Sequence, residues 1–303
     1  MFAVTLFSCC QAFAQDHVKD PRIACSRTYL TDSATVDQFV FNAYRNDNSG
    51  ESCLRVLQNG EIIFQRTNDN GGGYTIGQKA NSDNHIPAIA NGTDLTGRGN
   101  PDVTVSEYTG GAHCCLIQYI FELKPVFRLL ATIDAEDDDL SHFSDLDRNG
   151  RYYYLTADWS FSYWPSSFAG SPVSSIILRY ITQTPRPGYH LATDKMKKPP
   201  PNPAEWTNQV WTARGIFNSS NGSWEQPNGD FWQMLVDYIY FGNARFAWKL
   251  VSEAWPPQVP KKDEWVHDFC AILKSSSYFP DLDQPLDGAP PACISARPGS
   301  GKR

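Results

Sequence analysis

Short runs that alternate apolar and polar residues fill the chain from Phe39 to about residue 192, and apolar spacings of three and four take over beyond residue 229. Residues 53–57 (CLRVL) and 61–65 (EIIFQ) flank Gln58, Asn59 and Gly60. An Asn-Gly pair between apolar runs predicts a β-hairpin, because both residues tolerate positive φ. Residues 68–73 read as a polar, glycine-rich loop. Further strands are predicted over 102–108, 115–121 and 127–133, then over 152–157, 175–181 and 189–193; these are rich in β-branched and aromatic residues and bounded by turn signals. The later periodicity predicts helices over 230–241 (Phe231, Leu235, Tyr238, Ile239 inward) and 244–254 (Phe246, Ala247, Leu250, Val251, Ala254). The Gly242-Asn243 break between them suggests an αα-hairpin. A third helix is expected over 263–275.

Prolines at 199, 200, 201 and 203 cannot continue a sheet or a helix, so 199–229 reads as a linker. Residues 284–303, rich in Pro, Gly and Ala, read as a flexible tail. The expected fold class is α+β: antiparallel β meanders, as a partial propeller or sandwich-like sheet pair, in a β-rich domain over 15–198, followed by a small helical C-terminal region over 230–283.

Two acidic turns open the later strand groups in the same way. DLTGRGNPD at 94–102 precedes the first and DLDRNGRYY at 145–153 the second, 51 residues on, which suggests two related units over 94–134 and 145–193. In a calcium loop, alternate side chains supply oxygen ligands and a glycine at the sixth position permits the reversal. Asp145, Asp147, Asn149 and Gly150 keep that register, although Tyr153 and Thr156 stand where later ligands belong. Asp94, Thr96 and Asp102 form the weaker copy, in which Arg98 puts a positive charge at the third ligand position. The alternative is that both are Asx-type turns held by side chain to backbone hydrogen bonds.

Composition narrows the setting. A formal net charge of −7 over 303 residues disfavours nucleic acid or an anionic membrane as partner, since phosphate binding needs clustered Lys and Arg. Residues 1–14 are uncharged and apolar and end in Ala-Phe-Ala, the pattern of a signal peptide cleaved before Gln15, though without the usual basic start. A lipid-modified Cys9 is the rival reading, disfavoured by the bulk of Phe7. No later stretch is long and apolar enough to span a bilayer. The mature chain would be exported, periplasmic or secreted.

After cleavage six cysteines remain, an even number that favours disulfides in an oxidising compartment but permits 15 connectivities. Pairing neighbours gives Cys25 with Cys53, Cys270 with Cys293, and Cys114 with Cys115; the last would be strained, its Cα atoms only about 3.8 Å apart. On a strand His113 and Cys115 share a face, so a thiol enzyme or hydrolase using them is an alternative, with Asp134 or Asp158 as orienting acid. His85, His142, His190 and His267 are scattered, and residues 136–139 form an acidic run. Asp158, Trp159, Trp164 and Phe168 offer an aromatic platform for a sugar or peptide, although core packing is the commoner fate of such residues. No nucleophile elbow, P-loop, dinucleotide fingerprint or metalloprotease helix is present.

The Asp-x-x-Gly-x-Gly-x-Pro-Asp turn before a strand resembles the FG-GAP repeat of integrin-like β-propellers. The run from Asp94 through GGAHCC at 110–115 resembles a group of exported bacterial proteins without known activity, and 158–161, 163–164, 168–172, 247–248 and 254–256 fit the same likeness. The resemblance implies a β-rich sensor, adhesion or binding domain and assigns no catalyst. Residues 39–192 hold roughly three blade lengths, too few for a closed propeller. The expected function is an exported, non-enzymatic binding or structural module, with calcium as its candidate stabilising ion and a protein, peptide or glycan as its partner.

Overall fold

The computed structural model describes residues 25, 28–112, 115–183, 186–218, 224–282 and 288–293. Among the described residues twelve antiparallel strands form three four-stranded sheets, and within each sheet the strands follow one another in chain order. Sheet 1 comprises β1 (Tyr29–Val36), β2 (Phe39–Asn46), β3 (Glu51–Gln58) and β4 (Glu61–Asn68). Sheet 2 comprises β5 (Gly73–Ile76), β6 (Asp102–Tyr108), β7 (Leu116–Glu122) and β8 (Arg128–Glu136). Sheet 3 comprises β9 (His142–Ser144), β10 (Tyr153–Asp158), β11 (Ser174–Ile181) and β12 (Gly188–Leu191). Helices follow: α1 (Thr193–Met196), α2 (Pro203–Ile216), α3 (Gly229–Tyr240), α4 (Ala244–Ala254) and α5 (Lys262–Ser275). The fold is therefore α+β, with its meanders first and its helices last.

The expected hairpin is β3–β4, where Gln58 pairs with Glu61 across Asn59 (φ 51°) and Gly60 (φ 86°), both left-handed as a two-residue turn requires. Four strands were given no bounds by the sequence: β2, which lies inside the strand-rich stretch beginning at Phe39, and three that left no clear signal. β1 is mostly exposed and polar, and β5 and β9 are only four and three residues long, so none carries enough alternation to be recognised. Their presence recasts the two expected units as three complete meanders, each of the later two beginning one strand before its acidic turn.

The layers stack in chain order. Sheets 1 and 2 enclose one core in which Phe41 and Phe64 meet Phe121 at 5.6 and 5.0 Å. The second core runs from Ile120 and Ile133 of sheet 2 through Tyr154, Ile176 and Leu178 of sheet 3 into the helices, where Trp232 stacks on Phe269 at 5.2 Å. Sheet 2 thus packs on both faces, which explains why the end of β7 is buried from Gln118 through Glu122 without alternation.

The linker expected over 199–229 is corrected: α2 occupies its centre. Asn202 caps the helix, accepting from Ala204 N–H and Glu205 N–H, while Glu205 returns a bond to Asn202 N–H. Pro203 sits in the first turn, where its missing N–H costs nothing. The helix exposes most of its surface, burying only Trp206 and Ala213, so it lacks the apolar stripe that would have announced it. Part of the expected flexible tail is also corrected, because Cys293 lies in a short 3-10 turn, buried and bonded to Cys270 on α5. The second disulfide joins Cys25 to Cys53 of β3. Residues 1–14, Cys9, His113 and Cys114 lie outside the described residues. Among the described residues no helix is long and apolar enough to cross a membrane.

Candidate functional site

The two acidic turns occupy the same topological place, each connecting the first and second strands of its sheet. Their hydrogen bonding is also the same. Asp94 accepts from Arg98 N–H (3.0 Å) and Gly99 N–H (2.7 Å), and Asp145 accepts from Asn149 N–H (3.1 Å) and Gly150 N–H (2.8 Å). Gly99 and Gly150 carry φ of 77° and 80°. The second and eighth positions after that aspartate form a pair in both turns, with donor and acceptor exchanged. Thr96 donates its hydroxyl to Asp102 (3.0 Å) in one, and Tyr153 donates to Asp147 (2.8 Å) in the other.

This geometry leaves little for a cation. Lys195 places its ammonium 2.5 Å from the remaining oxygen of Asp147, and Asn149 Oδ1 accepts from Arg151 N–H. In the first turn Arg98 donates to buried Glu122 (2.5 Å), tying the turn to β7. Burial opposes the charge on Glu122, but bonds from Arg98, Asn100 and Arg128 prevail and hold its carboxyl below the ordinary value. A calcium ion at Asp145, Asp147 and Asn149 would therefore have to displace the Lys195 ammonium from Asp147. Melting temperatures measured in calcium and in chelator are expected to coincide; a clear rise in calcium would contradict this occupancy.

A second polar constellation lies where sheet 2, sheet 3 and the helices meet. Asp158, buried at the end of β10, accepts from Ser160 N–H (2.9 Å), Ser276 Oγ (2.6 Å) and the Tyr240 hydroxyl. Glu136, in a left-handed conformation at the end of β8, accepts Cys115 N–H on its carbonyl at 2.7 Å. Burial, and after it the charges of Asp134 and Asp158, push the Glu136 carboxyl from 4.5 up to about 7. Cys115 itself is 4% exposed. Cys115 is thus joined through its backbone to Glu136, whose carboxyl feels the charges of Asp134 and Asp158, while His113, the other residue of the thiol reading, falls outside the described residues.

The sign of the resulting pH effect follows from proton counting. Between pH 4.5 and about 7 the folded chain keeps the Glu136 proton and the unfolded chain has lost it, so stability falls as pH rises through that window. Burial also raises Asp102 to about 6, against bonds from Thr96 and Leu95, and acts in the same direction. Glu136→Gln is expected to flatten the decline, read as urea midpoints at about pH 5 and about pH 7.5. An unchanged slope in the variant would remove Glu136 as its source.

The expected aromatic platform divides. Trp164 packs inward against Trp232 (5.0 Å) and Trp265 (5.9 Å), whereas Trp159 stacks flat on Phe168 at 5.0 Å. The histidines stay scattered: His190 bridges Asp281 and the Arg186 carbonyl, and His142 contacts the Leu140 carbonyl.

The site that sequence reasoning missed is a cleft of about 260 Å³ between residues 198–201, α2 and α3. Phe241, Met234 and the prolines supply apolar wall, and Glu205, Gln209, Asp237 and Tyr238 supply polar groups. Gln209 Oε1 and the Tyr238 hydroxyl are buried without a hydrogen-bond partner. Asp237 accepts from Gln233 Nε2 (2.8 Å) on one oxygen only, and burial raises its carboxyl above the ordinary value. The only signal of this cleft in the sequence is the N-P-A-E capping pattern at 202–205, which marks a helix start inside the proline-rich stretch. Among known proteins, no family, no curated sequence and no solved structure matches the chain.

Proposed function

We propose that the chain is an exported, non-catalytic binding or structural module whose partner contacts the cleft between residues 198–201, α2 and α3. One observation carries this reading. The cleft combines apolar walls from Met234, Phe241, Pro199 and Pro201 with the charged side chains of Lys198, Glu205 and Asp237, the usual make-up of a ligand site. The other acidic constellations, built on Asp94, Asp145, Glu107, Glu122 and Asp158, receive their hydrogen bonds from the chain itself. Two disulfide pairs support an oxidising, extracytoplasmic setting, periplasmic or secreted. A volume of about 260 Å³ suits one side chain or terminal group of a protein, peptide or glycan rather than a whole cofactor.

A hydrolase or thiol enzyme is the second reading, favoured by Glu136 titrating near neutrality in the same region as Asp158 and Cys115. NMR shift mapping with mixed peptides and glycans separates the two. Perturbations centred on Tyr238 and Phe241 with every compound recovered intact are the expected result. Turnover of any compound, lost on Glu136→Gln, would replace the binding reading with the enzymatic one.

A further inference from the structure

We infer that Asn59, at the tip of the β3–β4 hairpin, is a self-modification site: its carboxamide reacts with the Gly60 backbone nitrogen and converts to aspartate and isoaspartate, while the fold protects the Asn-Gly pairs that begin at 70, 91, 149 and 228. The reaction needs no ligand in the cleft beside α2. The Gly60 nitrogen gives its proton to base and attacks the Asn59 side-chain carbon; a C–N bond forms there, the bond to Nδ2 breaks, and ammonia leaves with a proton taken from water. One water molecule then opens the cyclic imide at either of its carbonyls, giving aspartate or isoaspartate, and nothing is oxidised or reduced. Glycine favours the attack because it has no Cβ to obstruct it.

Among the described residues Asn-Gly occurs at 59–60, 70–71, 91–92, 149–150 and 228–229; the pair at 221–222 lies outside them. The reacting nitrogen must first lose its proton, so an acceptor that holds the N–H slows the reaction. Gly71 N–H donates to Gly50 O (3.1 Å), Gly92 N–H to Asp102 O (2.8 Å) and Gly150 N–H to Asp145 Oδ2 (2.8 Å). At 228–229 the carboxamide is held instead. Asn228 Oδ1 accepts from Asp230 N–H (3.1 Å) and Phe231 N–H (3.4 Å) at the start of α3, and Gly229 is buried. Asn59 and Gly60 are both exposed, and among the described residues neither the Gly60 N–H nor the Asn59 carboxamide has a hydrogen-bond partner. Asn59 N–H donates to Gln38 O at 3.3 Å, which leaves both reacting groups untouched. A loop tip held this lightly opens locally more often than the strands behind it.

The two products differ in what they do to the hairpin. Asp-Gly is itself a favoured two-residue turn, whereas isoaspartate runs the chain through its side-chain carbon and adds a methylene to a loop that closes with two residues. The pairing of Gln58 with Glu61 should then loosen, and with it β4, whose Arg66 and Asn68 bond Glu107 of β6.

The test holds the full-length chain in mildly alkaline buffer and follows each Asn-Gly pair by peptide mapping with mass spectrometry, isoaspartate being counted by enzymatic methylation. Asn59 is expected to convert about fivefold or more faster than Asn70, Asn91, Asn149 or Asn228, the rate equivalent of one hydrogen bond. Asp145→Ala frees the Gly150 N–H and should raise conversion at Asn149 by a similar factor while Asn59 keeps its rate. Protein carrying isoaspartate at 59 should show a lower urea midpoint than fresh protein, and Asn59→Asp should keep the parent's midpoint. Conversion at Asn59 no faster than at the four held asparagines would overturn the inference. An Asn149 rate indifferent to the loss of Asp145 would overturn the protection by hydrogen bonding on which it rests, and an isoaspartate fraction as stable as fresh protein would overturn the effect on the hairpin.

Discussion

Gly110→Ala is expected to lower stability by about 3 kcal/mol or more, from a left-handed backbone and a backbone clash acting together. Gly110 holds φ at 94°, and a Cβ built on it would lie 1.9 Å from Asn70 O and 2.7 Å from Asn70 C. Neither neighbour is a flexible side-chain end, so two chain segments would have to separate. The same crossing recurs at Gly72, whose added Cβ would lie 1.9 Å from Tyr108 O. Sheets 1 and 2 are therefore stitched where residues 70–72 pass 108–110, and the stitch needs two residues without side chains. Gly97, with φ at 69° and open space around its Cβ position, supplies the control. There alanine should cost only about 1 kcal/mol, the left-handed penalty alone. Urea midpoints for the two variants measure the difference; a Gly110→Ala loss no larger than that of Gly97→Ala would show that the loops can part freely. Gly110, which opens the GGAHCC run, thus has a packing reason that calls for no reaction.

Removing the Glu107 carboxylate by Glu107→Ala is expected to cost about 3–5 kcal/mol, because it strands buried donors from three strands. Glu107 is 3% exposed and accepts from Tyr119 (2.5 Å), Arg66 Nε (2.9 Å), Asn68 Nδ2 (3.0 Å) and Tyr74 (3.2 Å). These donors lie on β4, β5 and β7, so one β6 side chain ties sheet 1 to sheet 2. The Arg66 side chain is 37% exposed and can turn to water, which leaves the two tyrosines and Asn68 to bear the loss. Burial, together with the Glu107 charge, raises both tyrosine hydroxyls above their ordinary value, so neither escapes by ionising. Glu107→Gln keeps an acceptor oxygen and should lose roughly half as much. A Glu107→Ala variant within about 1 kcal/mol of the parent would mean that water satisfies the donors.

Both expectations concern contacts between segments far apart in the chain, and that separation governs what the residues disclose beforehand. The β3–β4 hairpin was legible because Asn59 and Gly60 set its geometry over four residues. Helices α3, α4 and α5 were legible within one or two residues because each carries an apolar stripe or a defined break, such as Gly242-Asn243. The 51-residue echo of the acidic turns was legible too, and the matching bonds of Asp94 and Asp145 give it a structural meaning. Local register did not disclose that Lys195, 48 residues after Asp147, would pair with one of its oxygens. Nor could proline content disclose that Pro203 begins a helix instead of preventing one.

By itself the sequence determined the elements whose signals are local: turns with residues tolerant of positive φ, helices with a stripe, strands with branched and aromatic runs, and an α+β order. Tertiary structure alone decided the rest. It closed three meanders where two were evident, sank the carboxylates of Glu107, Glu122 and Asp158 among their donors, and opened a cleft beside α2. The physical reason is that backbone preference acts over a few residues, whereas the desolvation and pairing of a polar group depend on what the folded chain brings against it.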